Sequence, residues 1–283
     1  MNKNVETFIG CDNEYDESKI VIFGAPFDST TSFRPGTRFA SKVMRSESFG
    51  LETYSPYQDQ DLEDVKVFDG GDLELTFGNT DKALKQIEEF TAQILADEKI
   101  PGMIGGEHLV TLGAMRAVAS KYNNLHIIQF DAHTDLREEY LGEELSHATV
   151  IRRCYELTGE KRIFQFGIRS GERSEFRWAK EHIFTTKYDF TGLEEVVERL
   201  QNVPIYLTID LDVLDPGIFP GTGTPEAGGV SFTQLLDAIC KVSKLNIVAF
   251  DINELSPIYD HSGVSTAVAC KILRELLLAI GMR

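Results

Sequence analysis

Residues 125–135 read LHIIQFDAHTD, in which a short apolar run passes directly into aspartate and histidine. The apolar, β-branched part predicts a buried strand, and the polar part stands where that strand ends. Parallel α/β sheets bind their ligands outside the carboxyl ends of the strands. Three other apolar runs end in the same way, in GGEH at 105–108, DLD at 210–212 and DINE at 251–254.

The rest of the chain alternates short apolar runs with longer amphipathic stretches. This alternation predicts the α/β class, with a mostly parallel central sheet between two helical layers in a three-layer αβα sandwich. No composition shift or repeat divides the chain, so residues 1–283 are expected to form a single domain. The predicted strands are residues 19–23, 65–68, 101–104, 125–130, 162–166, 204–209 and 247–250. The predicted helices are residues 81–98, 109–122, 149–158, 192–201, 232–242 and 263–280.

Local signals support some of these helices. Thr191 with Glu194, and Ser231 with Gln234, match the capping box that satisfies free backbone N–H groups at a helix start. The last helix carries an apolar stripe that should pack against the sheet. Its members are Val264, Ala267, Val268, Ile272 and Leu276.

Charge and composition exclude several function classes. Asp and Glu total 45 against 28 Lys and Arg, a net charge of −17, and no basic run is present, so we expect no nucleic-acid partner. The acidity suits a cationic ligand or bound metal, although a solvated acidic surface explains most of it. The four cysteines form no C-x-x-C pair, and no apolar run reaches the roughly 18 residues of a membrane span. We therefore expect a reduced, cytoplasmic enzyme with no membrane partner.

The polar residues at the strand ends indicate a metal site. Four aspartates buried together carry about four negative charges, which two divalent ions would balance. Two histidines add imidazole nitrogen, and a mixed O/N donor set without thiolates favours Mn²⁺ over structural zinc. Shared carboxylates suit a pair of ions. The candidate ligands are His108, Asp131, His133, Asp135, Asp210 and Asp212.

Other catalytic motifs are weak. The segment GTGTPEAGG at 221–229 lacks the strand-to-helix context of a dinucleotide loop and has no P-loop lysine. It is interpreted as a pocket-lining loop, with a plain surface turn equally compatible. No G-x-S-x-G elbow is present, and Cys154 lies on an apolar helical face, which indicates a core residue.

Over most of its length the chain resembles the ureohydrolase family, which includes arginases and agmatinases. The resemblance implies a three-layer α/β fold and a pair of Mn²⁺ ions. It is carried by an ordered set of motifs: RPGTR at 34–38, GGEH at 105–108, DAHTD at 131–135, SHAT at 146–149, GIRS at 167–170, DLDVLDP at 210–216, GTGTPE at 221–226 and Glu254.

The resemblance also implies a ligand set for each ion. One Mn²⁺ would be held by His108, Asp131, Asp135 and Asp210, and the other by His133, Asp131, Asp210 and Asp212. A hydroxide held between the two ions would attack a guanidinium carbon and yield urea and an amine.

Two further residues receive roles from the family pattern. His147 matches a proton-shuttling histidine that would protonate the leaving nitrogen. Glu254 matches a carboxylate that would hold the guanidinium through a planar, charge-assisted pair. Without the resemblance, His147 would be interpreted as a surface-loop histidine and Glu254 as part of a buried ion pair.

The substrate is predicted from the segment LREEYLGEEL at 136–145. Arginases resemble one another in an Asn- and Ser/Thr-rich segment at this place, which would bind the α-amino and α-carboxylate groups. The acidic segment here would repel a carboxylate and attract a free amine. A small cationic guanidino compound, agmatine, therefore ranks first. Arg137 complicates this argument because it could meet an anionic tail, so a guanidino acid such as 4-guanidinobutyrate ranks second.

Two other function classes remain open at this stage. One is a metal-dependent amide hydrolase of deacetylase type, which typically uses one zinc and fewer carboxylates. The other is a non-catalytic protein that binds a guanidinium ligand, although a complete ligand set speaks against lost chemistry. By resemblance the chain is also expected to form a homo-oligomer, a trimer or hexamer.

Overall fold

Eight parallel strands form the central sheet in the computed structural model, which describes residues 6–281. The strands are β1 Ile20–Gly24, β4 Val67–Asp72, β5 Ile100–Ile104, β6 His126–Phe130, β7 Ile163–Ile168, β8 Phe184–Lys187, β9 Pro204–Asp210 and β10 Asn246–Asn253. Their order across the sheet is β4-β1-β5-β10-β9-β6-β7-β8. A separate antiparallel pair consists of β2 Tyr54–Ser55 and β3 Gln60–Asp61.

Helices cover both faces of this sheet. Buried residues of α1, α6, α7 and α8 pack in one hydrophobic cluster, and buried residues of α2, α3, α4 and α5 pack in the other. The predicted three-layer αβα sandwich is therefore confirmed. The helices are α1 Ala40–Ser48, α2 Thr80–Ala96, α3 Val110–Lys121, α4 Val150–Thr158, α5 Arg173–His182, α6 Leu193–Arg199, α7 Phe232–Val242 and α8 Val264–Gly281.

Strand β1 shows how one apolar run serves both layers. Its side chains alternate between the faces, so Ile20 and Ile22 enter one cluster while Val21 and Phe23 enter the other. All five of its residues are buried. A run without polar alternation is what a parallel strand covered on both faces requires.

All seven predicted strands are present in the sheet, with ends displaced by a few residues. The edge strand β8 and the helices α1 and α5 were not predicted. Helix α5, RSEFRWAKEH, has only three apolar residues in ten, Phe176, Trp178 and Ala179, so its sequence carries a weaker apolar pattern than the predicted helices.

The two predicted capping boxes have different outcomes. Ser231 and Gln234 form the expected capping box at the start of α7. The Thr191–Glu194 box was wrong, because Gly192 takes the N-cap position of α6 with a φ of 82°.

In α8 the predicted apolar stripe is only partly correct, since Val264 is half exposed while Ile272 and Leu276 are buried.

None of the helices within residues 6–281 combines the length and apolar character needed to cross a bilayer.

Candidate metal centre and active site

All six predicted metal ligands lie together at the carboxyl edge of the sheet. His108 follows β5 after two glycines, Asp131 directly follows β6, and Asp210 is the last residue of β9. Gly106 is required for this approach, since a Cβ there would lie 1.9 Å from the carbonyl oxygen of Phe27. Five of the six side chains are buried, and His133 is partly exposed.

The imidazole of His108 faces three of the carboxylates. Its Nδ1 atom lies 3.0 Å from Oδ2 of Asp135, 3.1 Å from Oδ2 of Asp131 and 3.4 Å from Oδ2 of Asp210. This nitrogen is buried, and within the described part of the chain none of its close contacts has the geometry of a hydrogen bond. A polar atom in that position ordinarily has a partner. An unpaired nitrogen among acceptor oxygens is the arrangement that a bound cation would complete.

The other nitrogen of His108 is engaged on the opposite side. Nε2 lies 2.8 Å from the hydroxyl of Thr208, which donates to the buried carboxylate of Asp251 at 2.6 Å. A hydrogen bond at one imidazole nitrogen fixes the ring orientation and leaves the other nitrogen to a metal. The strands thus supply both the candidate ligand and the group that orients it.

A second potential group shares Asp131 with the first. His133 Nδ1 lies 2.9 Å from Oδ2 of Asp212 and 3.7 Å from Oδ1 of Asp131. One ligand atom from each of Asp131, His133 and Asp212 lies within 4.8 Å of the others, and the same holds for His108, Asp131 and Asp135. Two overlapping groups with a common carboxylate match the donor pattern of a pair of divalent ions.

The pKa values of the cluster reflect crowding of charge. Burial and the charge of Asp131 raise the pKa of Asp135 to about 7. Burial and the neighbouring carboxylates of Asp212 and Asp131 also raise the pKa of Asp210. Burial alone would lower the pKa of His133, but Asp212 and Asp131 outweigh it and raise that pKa to about 10. The folded protein therefore holds protons here that divalent cations would replace.

A cavity of about 270 Å³ opens onto this cluster. Its walls include His133, Asp135, His147 and Thr224. Thr224 belongs to the 221–229 loop, which agrees with the interpretation of that segment as a pocket-lining loop. His147 is the first residue of a short 3₁₀ helix, His147–Thr149, which precedes α4. The cavity therefore brings the predicted proton carrier beside two predicted ligands.

The His147 ring is held at the side of the cavity. Its Nε2 lies 3.1 Å from the hydroxyl of Ser32, and the ring of Tyr140 meets it edge-on at 6.0 Å. Burial, together with the positive charges of His133 and His108, lowers the pKa of His147 to about 4. The imidazole is thus neutral at physiological pH in this structure.

Glu254 lies immediately after β10 and is buried. Its Oε1 accepts a hydrogen bond from the backbone N–H of His108 at 2.7 Å, and its φ is 66°. Burial raises the pKa of its carboxyl. A Cβ added to Gly223 would lie 3.7 Å from Oε2 and 2.9 Å from the carbonyl oxygen of Arg34, so the glycine preserves space here.

Arg137 stands at the outer wall of the cavity but is not free. Its guanidinium lies 3.0 Å from Glu172 and 3.8 Å from Glu175, and it stacks over the ring of Tyr140 at 4.4 Å. Glu175 is buried and accepts further hydrogen bonds from Thr134 and Leu136. The carboxylates of Glu172 and Glu175 therefore outnumber the single guanidinium of Arg137, and the three groups together carry a net negative charge.

Sequence reasoning did not single out Ser32 or Glu172 as cavity residues. Both follow the carboxyl end of a strand, Ser32 after β1 and Glu172 after β7. The strand-end rule that found the aspartates could have found them, but neither stands in a metal-ligand pattern. Cys154, predicted to be a core residue, is fully buried.

Comparison with known proteins gives the class of this molecule. A family model described as the arginase family matches residues 18–279. The agmatinase of Bacillus cereus is 49% identical over 278 residues, which cover 96% of each chain. The crystal structure of agmatine ureohydrolase of Thermoplasma volcanium has a TM-score of 0.89 at 33% identity, and covers 98% of this chain and 94% of that one. The mitochondrial guanidino acid hydrolase of Homo sapiens is 34% identical over 272 residues, 92% of this chain and 77% of its own.

The chain therefore belongs to the arginase family. It is a ureohydrolase enzyme, and agmatinases are among the relatives it resembles over nearly its full length. Family membership speaks against both the deacetylase-type hydrolase and the non-catalytic binding protein.

Proposed function

We propose that this ureohydrolase cleaves agmatine to urea and putrescine at a centre containing two Mn²⁺ ions. The observation that carries the proposal is the unpaired Nδ1 of His108 among three buried carboxylates, beside a second group that shares Asp131. The donors fit this cofactor because four carboxylates and two imidazoles without thiolates suit Mn²⁺.

Each ion would have its own set of residues. One would be held by His108, Asp131, Asp135 and Asp210, and the other by His133, Asp131, Asp210 and Asp212. The charge of four carboxylates would balance two divalent cations. Such a pair, when bound, lowers the pKa of water and stabilises negative charge that develops on a substrate.

Glu254 would bind the guanidinium end of the substrate. The carboxylate is buried, and burying a charge is costly unless a partner of opposite charge accompanies it. A substrate guanidinium would supply that partner, while the hydrogen bond from the backbone of His108 keeps the carboxyl group in place. The planar cation can form two parallel hydrogen bonds, which orient its central carbon.

His147 would deliver the proton that the departing amine needs. The ring lies on the cavity wall, and the nitrogen that does not face Ser32 would take up a proton and return it to the departing amine. Cleavage of the C–N bond leaves an amine nitrogen that must be protonated, and a histidine within reach lowers that barrier.

The cavity mouth favours a substrate with an ammonium tail. Arg137 lies in this wall and would suit a carboxylate, but Glu172 and Glu175 neutralise it. The remaining negative charge attracts a primary amine and repels an acid. Agmatine therefore ranks above a guanidino acid. 4-Guanidinobutyrate stays the second candidate, because Arg137 would bind its carboxylate if the ion pair with Glu172 opened.

One experiment tests the whole proposal. Metal content and urea release should be measured on the Mn²⁺-loaded protein with agmatine, arginine and 4-guanidinobutyrate. We expect two ions per chain and agmatine turnover well above that of the other two compounds. Faster turnover of guanidinobutyrate would remove the agmatinase assignment, and one ion per chain would contradict the ligand sets.

Assembly and location remain predictions. The trimer or hexamer expected from the family would be detected by light scattering coupled to size-exclusion chromatography. A cytoplasmic location is likewise expected.

A further inference from the structure

Thr30 lies between a buried carboxylate and the proposed proton carrier. Its backbone N–H donates to Oε2 of Glu107 at 2.8 Å, and its hydroxyl donates to Oε1 of the same side chain. The backbone N–H of His147 in turn donates to the Thr30 hydroxyl at 3.0 Å. One hydroxyl thus joins residues that are 77 and 117 positions away in the sequence.

The direction of these hydrogen bonds is determined by their chemistry. Burial raises the pKa of the Glu107 carboxyl group to about 7, and in its ionised form this group accepts from both the N–H and the hydroxyl of Thr30. The oxygen of that hydroxyl then keeps a lone pair for the N–H of His147. These hydrogen bonds connect the 3₁₀ turn that begins at His147 to the buried loop that follows β5.

The same short segment also contacts the ring. Two residues beyond Thr30, the hydroxyl of Ser32 lies 3.1 Å from Nε2 of His147. Thr30 therefore holds the backbone of His147 and Ser32 meets its imidazole, so the segment after β1 determines both where the histidine stands and how its ring turns.

We infer that Thr30, held by Glu107, is a positioning residue that places His147 for proton delivery to the leaving amine. The inference rests on the proposed role of His147. Thr30 itself touches no reacting atom, and the contribution of its hydroxyl is expressed entirely through the histidine.

Thr30→Val and Thr30→Ser form a matched pair of variants, since valine keeps the shape without the hydroxyl and serine keeps the hydroxyl. With the Mn²⁺-loaded protein and agmatine, Thr30→Val should lower kcat about 10- to 100-fold, as expected for a misplaced catalytic group, with little change in KM or bound metal. Thr30→Ser should restore most of kcat. Equal activity of the two variants would overturn the inference.

A double-mutant cycle separates positioning from general damage to the fold. If Thr30 acts through His147, Thr30→Val should cause no further loss of kcat in the His147→Ala background. The same fold-loss in both backgrounds would show an independent effect and would refute the inference. Full activity of His147→Ala would instead refute the proposed role of His147, and absence of urea release by the unmutated protein would refute the proposed function.

Hydrogen exchange gives a readout that is independent of turnover. The Thr30 hydroxyl accepts the His147 amide, so peptides that include residue 147 should exchange faster in Thr30→Val than in Thr30→Ser. Identical exchange in the two variants would show that the hydroxyl does not hold this backbone.

Discussion

Arg137 forms an ion pair with Glu172, with 3.0 Å between Nη1 and Oε1, at the outer wall of the proposed substrate cavity. The pair turns a cation that could bind a carboxylate into part of a wall with excess negative charge. Under the proposed function, the choice between an amine-tailed and an acid-tailed guanidino compound would depend on an interaction between two side chains 35 residues apart, Arg137 and Glu172.

Glu172→Gln should shift substrate preference toward the acid. Loss of this carboxylate leaves Arg137 with only the longer contact to Glu175, at 3.8 Å. The ratio of kcat/KM for 4-guanidinobutyrate to that for agmatine should therefore rise about 3- to 10-fold, on the order of 1 kcal/mol for a partly exposed charge. Glu156→Gln is a suitable control, because Glu156 is a comparably exposed partner of Arg153 outside the cavity wall. An unchanged ratio would show that the ion pair does not select the tail.

His133→Ala and Asp210→Ala should each lose metal and activity together. Asp210 is a proposed ligand to both ions, so its variant should bind fewer than two ions, whereas His133→Ala should weaken one site. Urea release should fall more than about 100-fold in both, beyond the effect of residues that only support ligands. Metal analysis after dialysis and the urea assay provide the measurements, and full activity in either variant would contradict the ligand assignment.

Glu254→Gln should weaken substrate binding while preserving the fold. Glutamine can still accept the hydrogen bond from the His108 backbone, but it lacks the charge that faces the guanidinium. Charge-assisted hydrogen bonds contribute about 1.5–3 kcal/mol, so kcat/KM should fall roughly 10- to 100-fold. Steady-state kinetics with agmatine test this, with metal content as the control. A wild-type kcat/KM would mean that another group binds the guanidinium.

Metal removal should make stability depend on pH in a defined direction. Asp135 has a folded pKa of about 7 against an ordinary value of 3.8, so its contribution is complete below pH 4 and is lost as pH rises through about 7. His133, with a folded pKa of about 10 against 6.5, contributes below pH 6.5 and loses this as pH rises through about 10. Asp135 and His133 therefore both lower the stability of the metal-free protein as pH rises.

The Tm of the metal-free protein should therefore fall between pH 5 and pH 9, by roughly 5 °C or more. Added Mn²⁺ should raise Tm more at pH 9 than at pH 5, because it binds the deprotonated ligands. Thermal denaturation with and without chelator measures this, and Asp135→Asn should show a weaker dependence at the acidic end. A flat or rising Tm for the metal-free protein would contradict the proposed charge balance.

The central sheet and the clustering of the candidate ligands could be predicted from the sequence because both depend on a local pattern. Each apolar run is buried on two faces, and the parallel topology brings every run's carboxyl end to one edge, so residues such as Asp131 and Asp210 could be placed together without coordinates. Helix α5 was not predicted because only three of its ten residues, Phe176, Trp178 and Ala179, are apolar.

Other parts of the site could not be predicted from the spacing of residues in the sequence. The ion pair of Arg137 with Glu172, and the link from Glu107 through Thr30 to His147, join side chains that meet only after the strands have packed. The Thr191 capping box failed for a related reason. The capping-box pattern does not take account of Gly192, which adopts a left-handed backbone conformation and occupies the N-cap position in the folded chain.

The order of strands has a consequence for how the molecule assembles during translation. Strand β10 is the last to leave the ribosome, yet it lies between β5 and β9 and is the only link between the two halves of the eight-stranded sheet within residues 6–281. Nascent chains that lack β10 would have no strand to join β5 to β9 and would also lack Glu254. Neither urea release nor a complete native sheet should therefore be found in any fragment that stops before residue 246.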